Sequence, residues 1–323
     1  MRRGCKSGWR TCRISLSGVL AHWNEVAWER IDRGPLQGSR QRLGAAAGTA
    51  HAGLSRYRMA SGERAMPVHV HADEEELFYV LDGSGLSWQD ARTYTIAAGD
   101  CIVHLRNAEA HTIVAGGSGL DVLAFGSGSD ARMVWLPRAN AWWMGPRWLP
   151  SDGPNPLRLE AAAGELELPE PEPSRPPTIV ATRVLAPESL RQGDVDSEWR
   201  DLGVAAGSAL SGICHVTIAP GARSCPFHCH GAEEEIFVIL SGAGTLRLGD
   251  ERHAVETGHV VARPPGTRIA HQFIAGDDGL TLLAWGTRDP NDIVWYPDSK
   301  KVSLRGIGIR ARVEPLDYWD GEG

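Results

Sequence analysis

Two long stretches of this chain repeat one another about 160 residues apart, so whatever one half folds into, the other must fold into as well. Positions 53–83 match positions 212–242 at 13 of 31 sites, and most other sites exchange one apolar residue for another. The register runs on through Gly99 and Gly258 and then slips by one residue. Positions 111–137 overlie 271–297 with 11 of 27 identities, Trp135 falling on Trp295. Upstream, Leu43-Gly44 and Gly48 fall on Leu202-Gly203 and Gly207. A chain of 323 residues houses such a tandem duplication comfortably.

The polar residues that repeat are chemically specific. His69-x-His71 is followed by Glu76 and a distant His111, and His228-x-His230 by Glu235 and His271; these account for six of the twelve histidines. On a strand, side chains at i and i+2 share a face, so each His-x-His pair offers two imidazoles in one direction. A glutamate past the next bend and a remote histidine complete a set of three nitrogens and one carboxylate. That set suits first-row transition metals, whereas calcium and magnesium call for more oxygen.

Each half reads as all-β. Leu77-Phe78-Tyr79-Val80-Leu81 and Ile236-Phe237-Val238-Ile239-Leu240 have the length of strands and end in Gly83-Ser84-Gly85 and Gly242-Ala243-Gly244. Many short strands with frequent glycine turns point to a sandwich or barrel. The only helical period is a weak one across residues 23–31.

The two segments resemble cupins, whose first motif is His-x-His, three or four residues, Glu, six residues, Gly. Both copies fit it: His69, His71, Glu76 and Gly83, then His228, His230, Glu235 and Gly242. The second motif fits less cleanly. Gly258 and Pro264-Pro265-Gly266 match it, with four residues rather than two before His271, and the first copy has Gly99 but no Pro-x-Gly before His111. The resemblance implies two tandem cupin-type barrels (a double-stranded β-helix, or jelly roll), each with up to one divalent transition metal in its mouth: manganese, iron, nickel, cobalt or zinc. The expected ligands are His69, His71, Glu76 and His111 in the first barrel and His228, His230, Glu235 and His271 in the second. The expected division is a basic, disordered extension over 1–23, cupin domains over 24–148 and 179–323, and a proline-rich linker over 149–178.

Neighbours of the ligands read as bystanders. Glu74, Glu75, Glu233 and Glu234 are expected to be solvated, and alternation turns Glu75 and Glu234 away from the face of Glu76 and Glu235. By the same alternation Cys229 packs and does not ligate. The six cysteines lack the paired short spacing of a disulfide framework or zinc ribbon, which makes a reducing, cytoplasmic setting the expectation. Arg56 and Arg58 share one strand face, directed either into the first cavity or toward solvent or the partner barrel.

No apolar run is long enough to span a membrane. The first 24 residues carry five basic side chains and no acidic one, which leaves 28 basic against 40 acidic residues in the remainder. Such a surface repels phosphate backbones, so nucleic acid is not an expected partner. Eight prolines across 149–178 predict an extended, stiff strap. Trp142, Trp143 and Trp148 are expected to pack between domains, with Tyr318 and Trp319 anchoring the C-terminal tail.

Together these features lead first to a metal-dependent enzyme, an oxidoreductase or lyase with dioxygenase- or decarboxylase-like chemistry on a small oxygenated molecule. The alternatives are a binding or sensor protein for a sugar or carboxylate, and third a storage protein. Self-association through strand edges is left open. Because Pro264-Pro265-Gly266 preorders the approach to His271, the second site is expected to hold metal the more tightly.

Overall fold

The computed structural model describes residues 19–128, 132–150 and 153–322. Each half is a jelly roll of one eight-stranded and one four-stranded antiparallel sheet. In the N-terminal barrel the large sheet centres on Glu76–Gln89, flanked by Asp100–His104 and His111–Gly126, and runs outward through Gly53–Met59, Leu36–Gln41 and Glu29–Arg33. The small sheet joins Val70–His71 to Met133–Leu136, Ala141–Met144 and Arg147–Leu149. The C-terminal barrel repeats the plan around Glu235–Leu248, His259–Arg263 and His271–Thr287.

The apolar runs are continuous because their strands are buried on both faces. Phe78 and Val80 point into the N-terminal barrel, whereas Leu77 and Tyr79 join a core shared with Ile236, Val238 and Trp285 of the other barrel. Phe125 stacks on Trp285 across this boundary at 6.1 Å between centroids. The motif glycines make the long central strands possible: Gly83 and Gly242 have φ of +82° and +83°, and a Cβ on either would run into the carbonyl of Gly119 or Gly279. The ladder shifts register beside each of them, as at a bulge.

The two glutamates next to the motif glutamates are not solvated; they clamp the barrels together. Glu75 accepts from the backbone N–H of Ala209 (2.9 Å), Leu210 (3.2 Å) and Ser211 (3.2 Å) and from the Ser208 hydroxyl (2.6 Å). Its counterpart Glu234 accepts from Ala50 (2.6 Å), His51 (2.9 Å) and Ala52 (2.9 Å). Both are 2% exposed. The contact is therefore isologous: each barrel inserts the same carboxylate into the same loop of the other. Alternation did turn these residues from the metal-ligand face, but that face abuts the partner barrel and not water.

The chain also exchanges edges between barrels. Leu20–His22 pairs with His259–Arg263 of the C-terminal barrel, and Ile179–Ala181 pairs with Asp100–His104 of the N-terminal one. The last part of the expected disordered extension is thus a strand, since it covers an otherwise open sheet edge; residues 1–18 lie outside the described residues. Residues 23–31 hold turns and a strand, Glu29–Arg33, instead of a helix. The linker is an extended strap only in part. Pro156–Ala162 is helical, capped by Asn155 Oδ1 on the Leu157 N–H (2.9 Å), because proline sits at its first turn and good helix formers follow. Its Glu160, fully buried, pairs with buried Arg64 at 2.9 Å.

The tryptophans before the linker do not pack between domains. Trp142 packs against Trp135 at a tilt and Trp143 meets Trp148 edge-on within the small N-terminal sheet, while the large sheets form the domain boundary. Tyr318 and Trp319 stack on each other and stay 76% and 67% exposed, so they anchor nothing within the described residues.

Candidate metal centres

The N-terminal ligand set lies where strands begin, at the mouth of the barrel. Glu76 opens its strand opposite His104 and Gly126, His111 opens another, and His69 and His111 exchange backbone hydrogen bonds of 3.1 and 2.9 Å. The Nε2 atoms of His69, His71 and His111 stand 3.0, 3.6 and 3.1 Å from a single Glu76 oxygen. Their other nitrogens are engaged. His69 Nδ1 donates to the Pro67 carbonyl (2.9 Å) and His111 Nδ1 to the Glu109 carbonyl (3.0 Å). A carbonyl can only accept, so in both rings Nδ1 carries a proton, which fixes the ring with Nε2 turned inward toward Glu76. His71 Nδ1 lies 3.0 Å from Glu74 Oε1, itself beside Arg132 at 3.2 Å. Glu74 is a buried orienting group, not a solvated neighbour.

Electrostatics prepare the ring of ligands unevenly. Burial, with help from His104 and His69, pushes the His111 pKa well below the usual imidazole range, so it is neutral. Burial acts on Glu76 in the opposite sense to its three histidines, which prevail and hold the carboxyl well below its ordinary value. For His71, burial opposes the charge, but Glu74 and Glu76 outweigh it and raise the pKa to about 9. An imidazole ligates only when neutral, so an incoming cation and the His71 proton compete. Metal uptake near pH 7 should release about one proton, and affinity should climb with pH and level off above about 9. Calorimetric titrations in buffers of different ionisation enthalpy measure this, and uptake without proton release would contradict it.

His104 points inward and stacks on His111, with ring centroids 3.7 Å apart and planes 1° from parallel. Its Nδ1 is 2.7 Å from Glu109 Oε1. The loop before His111 lacks proline and glycine, yet His111 is fixed by this stack and by the Glu109 carbonyl.

The C-terminal set is looser. His228, His230 and Glu235 each offer an atom within 4.8 Å of one another, but His271 does not join all three at that spacing. His271 Nε2 still approaches Glu235 at 3.2 Å, and neither of its ring nitrogens has a hydrogen-bond partner. His228 Nδ1 donates to the Pro226 carbonyl (2.8 Å), and His230 Nδ1 lies 2.7 Å from Asp292. Asp292, held down to about 2 by His230 and the Ala232 N–H against the effect of burial, takes the part that Glu74 plays in the first barrel. Glu233 is buried beside Arg305 (2.6 Å) and is likewise not solvated; burial pushes its pKa up to about 7. Where the first barrel has His104, the second has buried Arg263, opposite Glu235 in the ladder. Burial lowers its pKa to about 10, which leaves it cationic at neutral pH. Cys229 points away and packs with Phe227, Ala270 and Trp295.

A cavity of about 830 Å³ opens onto the N-terminal ligands. Sequence reasoning missed its arginines: Arg33, Arg40, Arg42 and Arg132 line it, not Arg56 and Arg58. Those two bind Asp121 (both at 2.7 Å) on the opposite face of their strand, under the rings of Trp23 and Trp28.

The model of the cupin domain matches the sequence twice, over residues 55–124 and 214–286. The chain is a bicupin. Among solved structures it is similar to oxalate decarboxylase from Bacillus subtilis at pH 4.6 (TM-score 0.59, 16% identity, covering 87% of this chain and 78% of that one). It is also similar to the formate complex of oxalate decarboxylase from Lactobacillus farciminis (TM-score 0.59, 18% identity, covering 85% and 87%). At these identities the likeness is one of fold. A comparison with curated protein sequences gave no match. No helix among the described residues is long and apolar enough to cross a membrane.

Proposed function

We propose that this bicupin is a metal-dependent enzyme acting on a small oxygenated organic molecule, with its working centre at His69, His71, Glu76 and His111. The observation that carries the reading is the convergence of three imidazole Nε2 atoms on one carboxylate oxygen, with the Nδ1 atoms of His69 and His111 bonded to carbonyls behind them. Both buried His71 nitrogens lack a hydrogen-bond partner, and of the two it is Nε2 that faces Glu76, at 3.6 Å. Three nitrogens and a carboxylate suit manganese or iron, which would supply Lewis acidity and redox chemistry when bound. One similar solved structure is described by its Mn(II) centres, which makes manganese the first metal to test.

The chain's own residues do the rest. Glu74, steadied by Arg132, fixes the His71 ring, and the His104 ring holds His111 in place. His228, His230, Glu235 and His271 form a second, weaker site in this reading, because the Arg263 guanidinium repels a cation and His271 lacks an orienting acceptor. This reverses the order expected from the Pro264-Pro265-Gly266 loop.

The test is carbon dioxide release and dioxygen uptake over a panel of small hydroxy-, oxo- and dicarboxylic acids. Turnover should require manganese or iron and vanish in the variant carrying His69→Ala with His71→Ala. Turnover that survives this variant contradicts the assignment, and absence of metal-dependent turnover across the panel would favour a binding protein.

A further inference from the structure

The duplication supplies an internal comparison that isolates what is special to the first cavity. Its four arginines, Arg33, Arg40, Arg42 and Arg132, fall on Gln192, Trp199, Asp201 and Asp292 in the second barrel. At these four positions the first mouth carries cations and the second carries none, although the second has Arg263 and Arg305 beside its own histidine set. Structural need does not account for all four. Glu29 takes both Arg40 (2.7 Å) and Arg42 (2.8 Å), and Glu74 takes Arg132 (3.2 Å), while Arg33 stands exposed at the entrance. Arg40 keeps a buried Nε without a hydrogen-bond partner. Its guanidinium interacts with Tyr57, which also lines the cavity.

The rest of the lining has a different chemistry. Leu36, Met66, Val134, Leu136, Trp143 and Leu157 face the same space. Trp143 falls on Ser303, and Leu157 comes from the linker helix, for which the second half has no counterpart. A cavity of about 830 Å³ is far larger than a two-carbon acid needs and would leave this wall wet around one. A ligand with an anionic head and an apolar body satisfies both kinds of lining.

We propose that the N-terminal cavity binds an organic monocarboxylate with an apolar body, the carboxylate facing Arg40 and Tyr57 and the body lying against Leu36, Leu136, Trp143 and Leu157. Planar guanidinium groups suit a carboxylate because they present paired donors to its two oxygens. The proposal deepens the metal-enzyme reading by naming a substrate class and rests on that reading for its catalytic meaning. Recognition by arginines, however, is measurable in protein stripped of metal, so the two can fail separately.

The experiment is isothermal titration of the full chain with 4-phenylbutyrate, its uncharged amide and oxalate, in chelator-treated and in manganese-loaded protein. One phenylbutyrate per chain is expected in both forms, with the amide and oxalate each at least about tenfold weaker. Arg40→Gln should weaken phenylbutyrate about tenfold. The exposed Arg33→Gln, which installs the second barrel's residue, should weaken it with no change in thermal midpoint. Two equal sites per chain, an amide that binds as well as the acid, no binding in either form, or arginine variants that keep full affinity would each overturn the proposal. Phenylbutyrate binding in a chain that takes up no manganese would instead refute the metal reading alone.

Discussion

Alanine in place of Glu234 should lower the stability of the whole molecule by about 3–5 kcal/mol, and Glu75→Ala should do the same. Each substitution strands a row of backbone N–H donors, one buried and two part-buried: Ala50, His51 and Ala52 in one case, Ala209, Leu210 and Ser211 in the other. An unsatisfied buried donor costs about 1–3 kcal/mol, and losing the two part-buried bonds beside it adds about 1 kcal/mol each. A fall in thermal midpoint of roughly 4–7 °C follows for a chain of this size. The glutamines should be milder, because the remaining amide oxygen still accepts. Glu234→Gln should therefore cost stability yet leave metal binding at Glu235 nearly unchanged. Chemical denaturation measures all four variants, and a loss under about 1 kcal/mol for both alanines would show that the clamp is incidental.

The second large effect is expected at the ligand itself. Glu76→Gln removes the carboxylate that three Nε2 atoms share and should weaken manganese binding at least about 100-fold, while Glu75→Gln leaves that affinity within a few fold. Glu74→Gln should lie between them, about tenfold to 100-fold, because it acts only by orienting His71. Equal losses for Glu75→Gln and Glu76→Gln would mean that the two faces of the strand had been assigned the wrong way round.

The legible part of the molecule was what repeats or alternates. Duplication, strand length and glycine turns led to two jelly rolls, and the His-x-His spacing led to residues that the fold brings together at each barrel mouth. What escaped was non-local. Glu75 looks like one of several acidic neighbours until residues 208–211, more than 130 positions away, arrive to meet it. Arg56 and Arg58 share a face with Leu54, which faces the other barrel, and only the structure brings Trp23 and Trp28 over them. The cavity arginines did carry a signal, since aligning the halves replaces all four. Reading it required knowing that Glu29–Arg33 and Leu36–Gln41 form a hairpin at the mouth. The linker helix was hidden by proline density, although residues 157–168 contain no proline.

The central claim is that His69, His71, Glu76 and His111 form the principal transition-metal site. Manganese titration followed by electron paramagnetic resonance tests it on two variants, His69→Ala with His71→Ala and His228→Ala with His230→Ala. The account predicts that the variant lacking the C-terminal pair keeps the tighter site at near-stoichiometric manganese, and that the variant lacking the N-terminal pair loses it. Tighter binding in the variant without His69 and His71, or no manganese taken up by the intact chain, would contradict the account.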